Sequence, residues 1–151
     1  MSEHRATVRW EKESEGFGYK EYNRDHDWII GKETIAASAA AGYLGTEGMV
    51  DPEAALVASA SACHMLTFLA ICSKKRIVVK SYVDEAVGQM TAGENKKMWV
   101  SLIELDPKIE FEDPAAVDEA TLADIHKVAH RECFIANSLK SEITVKGFAL
   151  H

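Results

Sequence analysis

An α+β fold within a single domain, residues 1–151, is what this sequence predicts, and three observations predict it. Short alternating segments occupy residues 5–38. A long uncharged helix then starts at Asp51. After it come a β-hairpin, an amphipathic helix and a closing strand. No repeat, low-complexity tract or linker interrupts the order.

"RATVRWE" alternates, "FGYKEY" follows Glu15-Gly16, and "WIIG" and "ETIAAS" add further short strands. Residues 39–50, "AAAGYLGTEGMV", carry three glycines and predict a loop. Asp51 is a good N-cap, Pro52 suits the first helical position, and Glu53 complements the positive end of the helix dipole. Lys74, Lys75 and Arg76 complement the other end. From Ile77, "IVVKSYVDEAVGQMT" has the character of a strand, Gly93-Glu94-Asn95 a turn, and "KMWVSLIELDPKIEF" its hairpin partner. Pro114 opens the helix "AAVDEATLADIHKVAHRE", a short helical piece begins at Cys133, and "SEITVKGFAL" closes the chain as a strand.

Between Glu53 and Lys74 lie 20 residues with no Asp, Glu, Lys or Arg. That length could cross a bilayer. Only seven of the residues are strongly apolar, however, and the remainder are Ala, Ser, Cys, Thr67 and His64, which gain little in lipid. A buried helix accounts for the composition better. A helix without charge on any face must be covered on every face, and a chain with two shorter helical pieces supplies too little cover. The expectation is a homodimer with this helix in its interface.

Seventeen basic against twenty-four acidic residues give a net charge of −7 and a pI near 5.4. This argues against nucleic acid and against anionic membrane surfaces, which require a basic footprint. "MSEHRATVRWEKE" has no apolar h-region, and none of the three cysteines lies in a CxxC pair. The expectation is reduced thiols in the cytoplasm.

Cys63 and Cys72 are nine helical residues apart, on opposite faces and about 13 Å apart along the axis, so they cannot bridge. Cys72 is read as a small buried hydrophobe. His64, adjacent to Cys63 on a helix, points about 100° away and makes a poor partner for it. Cys133 stands at a helical start, where the dipole would favour a thiolate. His126, His130 and Cys133 fall at i, i+4 and i+7, a spacing usable for zinc, and that alternative stays open.

"DPEAALVASASACHMLTFLA" resembles the signature of the OsmC/Ohr family of osmotically induced and organic-hydroperoxide-resistance proteins, whose central helix starts Asn/Asp-Pro-Glu and carries a cysteine ten residues after the Glu. Here these are Asp51, Pro52, Glu53 and Cys63. "AHRECFIANSLKSEI" resembles the second signature, with Cys133, and "YNRDHDW" and "YVDEAVGQM" resemble segments of an OsmC-like subgroup. Ala54 stands where many members have a second Glu, and Phe134 where proline often follows the second cysteine. The resemblance implies an intertwined homodimer whose antiparallel and mixed sheets pack around the central helix. It implies a thiol peroxidase, part of a stress response, that reduces organic hydroperoxides and, less well, hydrogen peroxide. Cys63 would be the peroxidatic thiol, resolved by Cys133 as a disulfide and reset by a dithiol. No metal, flavin or haem is required. The family's Arg corresponds best to Arg24, with Arg9 and Arg131 as alternatives. Its Glu corresponds to Glu53, which lies about 15 Å from Cys63 along a straight helix and so would act by holding the Arg. A non-catalytic ligand-binding dimer of the same fold is the other expectation.

Overall fold

β-branched and aromatic residues in alternation place three strands early in the chain: Ala6–Arg9 (β1), His26–Ile30 (β2) and Glu33–Ala37 (β3). In the computed structural model, which describes residues 1–151, they form an antiparallel sheet in the order β1-β2-β3. Gly31, at φ +63°, closes the two-residue turn between β2 and β3, a conformation glycine adopts without penalty. The chain divides into two compact units, Met1–Ala55 and Leu56–His151.

Within the first unit the expected strand "FGYKEY" is a turn instead. The Glu21 carboxylate accepts a hydrogen bond from the Gly18 N–H at 2.8 Å, and the Glu21 N–H donates to the Gly18 carbonyl at 2.9 Å. Local side-chain bonding thereby outcompetes strand pairing. Phe17 packs between Trp10 and Tyr22, with centroids at 6.0 and 5.2 Å. The loop over residues 39–50 holds a short 3-10 turn at Ala41–Tyr43 and rejoins β3 through an Ala37–Val50 bridge. A Cβ at Gly45 would lie 1.6 Å from the Ala39 carbonyl oxygen, so only glycine fits there.

The long helix runs Pro52–Lys74 (α1). Asp51 caps it as expected, its Oδ1 accepting from the Ala54 N–H at 2.8 Å. The other end closes in a Schellman motif. Arg76 takes φ +59°, the Ile77 N–H donates to the Cys72 carbonyl and the Arg76 N–H to the Ser73 carbonyl. α1 is long and apolar enough to span a membrane on length and composition. Its buried stripe nevertheless lies in two protein cores.

In the second unit each expected long strand is broken in two. Val79–Asp84 (β4) and Val87–Ala92 (β5) come from one; Met98–Leu105 (β6) and Pro107–Phe111 (β7) come from the other. β4 pairs with β7. β5 pairs with β6, and Glu142–Val145 (β8) joins β6 in parallel. Asp84 sits at the corner where both strands change sheet. Its Oδ1 accepts from the Asp106 N–H at 2.8 Å, and its Oδ2 accepts from the Ser61 hydroxyl on α1. One carboxylate thus ties both breaks to the helix. The helix expected from Pro114 is a 3-10 turn, Pro114–Ala116, followed by Glu119–Glu132 (α2). Asp118 caps α2, accepting from the Thr121 N–H at 2.8 Å.

One side of α1 carries the packing: Ala60, His64, Phe68 and Cys72 are its buried residues, spaced four apart. Ala60 enters a core with Ile103, Leu105, Ile143, Val145 and Leu150. Phe68 and Cys72 enter a second with Ile125 and Ala129 of α2. The opposite stripe stays open, with Leu66 at 62% exposure, so within one chain the helix is covered on one side.

His64 lies where the two cores meet. Its ring stacks on His126 of α2 with centroids at 5.3 Å, and Nε2 and Nδ1 of the pair are 3.0 Å apart. His126 also packs on Phe68 and Phe148, both at 4.8 Å. One proton serves the shared bond, and a second would be buried among apolar rings with His130 as a further like charge. Burial above all, with His126 and His130 as neighbours, holds His64 down to about 3; burial holds His126 at about 4. Above pH ~6.5 the unfolded histidines are neutral too, so the pair carries no penalty. As pH falls below that value the unfolded chain binds protons that the folded core refuses. Urea denaturation should therefore show stability falling toward about pH 5, with a limiting slope of about 1.4 kcal/mol per pH unit for each histidine. The dependence should shrink in a His64→Leu/His126→Leu variant. Equal wild-type stability across that range contradicts the buried neutral pair.

Candidate functional site

The rotation that buries His64 leaves Cys63 at the edge of the packed side, half-buried in the middle of α1. Cys133 follows α2 as its C-cap and is 1% exposed. The backbone turns sharply there: the Cys133 N–H donates to the His130 carbonyl at 3.3 Å, and the Ala136 N–H donates to Cys133 Sγ at 3.3 Å. The two thiols lie within hydrogen-bonding range of each other, and all three cysteines are reduced. A contact between residues seventy apart in sequence thus joins the centre of α1 to the end of α2.

The electrostatics correct one expectation. Cys133 ends α2 and also opens the turn into the 3-10 piece Ala136–Ser138, whose Ala136 N–H donates to its Sγ, yet its pKa is raised rather than lowered. Burial first, then the hydrogen bond to Cys63, pushes the Cys133 thiol up to about 11, against a smaller opposing effect of the Ala136 N–H. A thiolate charge on Cys63 would repel a second on Cys133, and Cys133 keeps its proton. Cys72 lies in the second core, 1% exposed, its pKa raised by burial. It fills space as expected.

Cys63 opens onto an apolar groove of about 920 Å³. Leu66, Ile71, Val128, Phe134 and Ile135 line it, with Lys74 and Lys75 among its lining residues. Phe134, directly after Cys133, is 82% exposed. Sequence reasoning missed Phe134 and Leu66 as features of the site. Their only signal was an aromatic in a proline position and a leucine on an otherwise small-residue stripe.

The charged candidates have surroundings of their own. In the first unit, the Arg24 guanidinium donates to the Tyr22 and Tyr19 carbonyls, at 2.9 and 2.5 Å, and lies 4.1 Å from the Tyr22 ring centroid. It lines a mostly apolar cup of about 580 Å³ with Trp10, Phe17 and Tyr22. Glu53, half-buried in the first turn of α1, forms no ion pair, so the expected Glu53–Arg24 tie is absent within the chain. Two carbonyls and a tyrosine face hold the guanidinium instead. Arg9 pairs with Asp27 at 2.9 Å, and Arg131 pairs with its neighbour Glu132 at 2.8 Å.

The zinc alternative through His126, His130 and Cys133 does not survive the geometry. No three His, Cys, Asp or Glu side chains converge on one point. His126 turns inward to His64, while Cys133 lies past the end of α2 with extended backbone and faces Cys63. The i, i+4, i+7 spacing fails because the helix stops before its last member.

Against known families, residues 45–147 match the model described as OsmC-like protein. The chain belongs to the OsmC-like family. An OsmC-like protein of unknown function from Vibrio cholerae shares 39% identity with it over 97% of this chain and 99% of that one, with a TM-score of 0.91. An organic hydroperoxide resistance protein OsmC from Legionella pneumophila (13% identity, 96% and 97% coverage, TM-score 0.68) has the same fold. So does an organic hydroperoxide resistance protein from Elizabethkingia anophelis (18%, 96% and 96%, 0.67). No curated protein sequence matches the chain.

For this OsmC-like chain the burial and pKa pattern predicts an order of thiol reactivity. Iodoacetamide near neutral pH should label Cys63 first, with Cys133 and Cys72 protected until the protein unfolds. Mass mapping that finds Cys133 or Cys72 modified before Cys63 contradicts the arrangement.

Proposed function

We propose that this OsmC-like protein is a cysteine-based peroxidase that reduces organic hydroperoxides and, less well, hydrogen peroxide. The observation that carries the proposal is the contact between an accessible thiol at an apolar groove, Cys63, and a buried protonated thiol, Cys133. Two relatives of the same fold bear the name organic hydroperoxide resistance protein, which supports the same chemistry.

The Cys63 thiolate attacks the distal oxygen of ROOH. The S–O bond forms as the O–O bond breaks, and the leaving alkoxide takes a proton and departs as the alcohol. Cys63 is left as a sulfenic acid. The Cys133 sulfur then attacks Cys63, the S–S bond forms, and the hydroxyl leaves with the Cys133 proton as water. Exchange with an external dithiol returns both thiols and supplies the two electrons that the peroxide consumed. The proton held on Cys133 suits this order, since it keeps the resolving sulfur neutral while Cys63 reacts.

Arg24 is assigned to the Cys63 site, where its guanidinium favours the thiolate and orients the peroxide, with Glu53 positioning it; either can come from a second copy of the chain. The active species is a homodimer, one OsmC-like domain per chain over residues 1–151. The second copy covers the open stripe of α1 that includes Leu66 and closes the groove over Cys63. A reducing cytoplasm keeps the resting thiols free.

A dithiol-coupled assay with cumene hydroperoxide should show turnover, lost in Cys63→Ser. Cys133→Ser should stall after one turnover and carry Cys63 on to the sulfinic acid. Arg24→Met should lower kcat/KM by roughly 10² while the protein stays folded. Turnover surviving Cys63→Ser overturns the proposal. A thiol count unchanged by a stoichiometric peroxide pulse favours a non-catalytic ligand-binding dimer instead.

A further inference from the structure

A separate cleft of about 310 Å³ lies against the C-terminal end of α2, at the lower end of ligand-sized pockets. Nitrogen donors from three places in the chain line it. Lys127, His130 and Arg131 come from α2, Asn137 from the 3-10 turn after it, and His151 from beyond β8. No Asp or Glu side chain lines the cleft. Lys127 is in no ion pair. Arg131 gives its Nε to Glu132 at 2.8 Å, which leaves its terminal nitrogens, and Glu132 lines the Cys63 groove instead.

His130 is half-buried, and its Nδ1 is buried without a hydrogen-bond partner. Buried polar atoms are seldom left orphaned, and with its proton on Nδ1 this ring is a donor without an acceptor. His151 stands edge-on to it, with centroids 5.5 Å apart. Burial first, and then His151, hold His130 below the ordinary histidine value, so near pH 7 its ring is neutral and offers one N–H. The dipole of α2 accounts for basic residues in its last turn, His130 and Arg131. It does not account for Lys127 a turn earlier, nor for Asn137 and His151 arriving from other segments.

We propose that this cleft binds a phosphate anion, free or as the monoester of a small metabolite. The Lys127 ammonium and the terminal N–H groups of Arg131 meet its charge, and imidazole and amide N–H groups take the remaining oxygens. A phosphoryl group brings three terminal oxygens and about two negative charges near neutral pH, more than a carboxylate can offer so many donors. Ala136 and Leu150 leave an apolar wall for the carbon part of an ester. The lining residues also lie on both sides of Cys133. Asn137 Nδ2 already donates to the Arg131 carbonyl at 3.1 Å, and the Asn137 N–H to the Cys133 carbonyl at 3.0 Å. An anion held by Arg131 and Asn137 together staples the turn that carries Cys133. The site needs nothing from the peroxidase reading.

Calorimetric titration of the full chain in a phosphate-free buffer tests it, with inorganic phosphate and glycerol 3-phosphate in separate runs. One site per chain should fill, and the tighter ligand of the two identifies the free ion or the ester as the class bound. Affinity should fall about tenfold in Lys127→Gln/Arg131→Gln, whose two positions are exposed. It should fall less, but measurably, in the milder His151→Gln. Lys96→Gln/Lys97→Gln, which removes the same charge at the turn between β5 and β6, should leave affinity unchanged. The tighter ligand should also slow amide hydrogen exchange over residues 131–138 in the wild type. Failure of both anions to bind overturns the site. So does equal weakening in the two double variants, or slowed exchange that falls outside that turn.

Discussion

The stripe of Ala60, His64, Phe68 and Cys72 fixes the rotation of α1 about its axis, and the rest of the second unit depends on that rotation. Ala60 belongs to the core under β6 and β8, and Phe68 and Cys72 belong to the core shared with α2. With the stripe set, Cys63 is turned to the border between packed and open faces. One step along the helix separates a buried imidazole from a half-buried thiol. A rotation of about 100°, the angle of one residue, would bury Cys63 and bring its neighbour to the groove.

The polar groups of this unit serve the same placement. Asp84 joins α1, the corner after β4 and the start of β7 through two acceptor oxygens, so the sheets change partners at a fixed height on the helix. The His64–His126 contact joins α1 to α2 in the region where apolar packing passes from one core to the other. Because α2 is fixed at His126, its end is fixed too, and the turn at Cys133 delivers the second sulfur to the first. A buried pair of neutral imidazoles is an unusual joint for that purpose. It adds direction where leucines would add only area.

Much of this was legible in the sequence, and the failures have physical causes. The cap at Asp51, the length of α1 and the closing strand followed from residue types with strong local preferences. The strand break at Asp84 was not legible, because it depends on a carboxylate bonding across the fold, whereas Asp106-Pro107 marked the other break and was passed over. "FGYKEY" has a strand composition, yet Glu21 folds back on Gly18. At the site, Cys63 and Cys133 were found through motif resemblance and not through periodicity. Spacing alone left open a zinc triad that the end of α2 dismantles. Lys74 and Lys75 were legible only as helix-end cations, since a groove is a property of the folded surface.

The account turns on two sulfurs that meet in the folded chain and carry one oxidation event between them. Intact mass spectrometry after one equivalent of cumene hydroperoxide, followed by non-reducing peptide mapping, tests this most directly. The account predicts a loss of two hydrogens per chain and a single Cys63–Cys133 bridge, with Cys72 untouched. An unchanged mass, or an added oxygen that stays on Cys63 while Cys133 remains a free thiol, would contradict it.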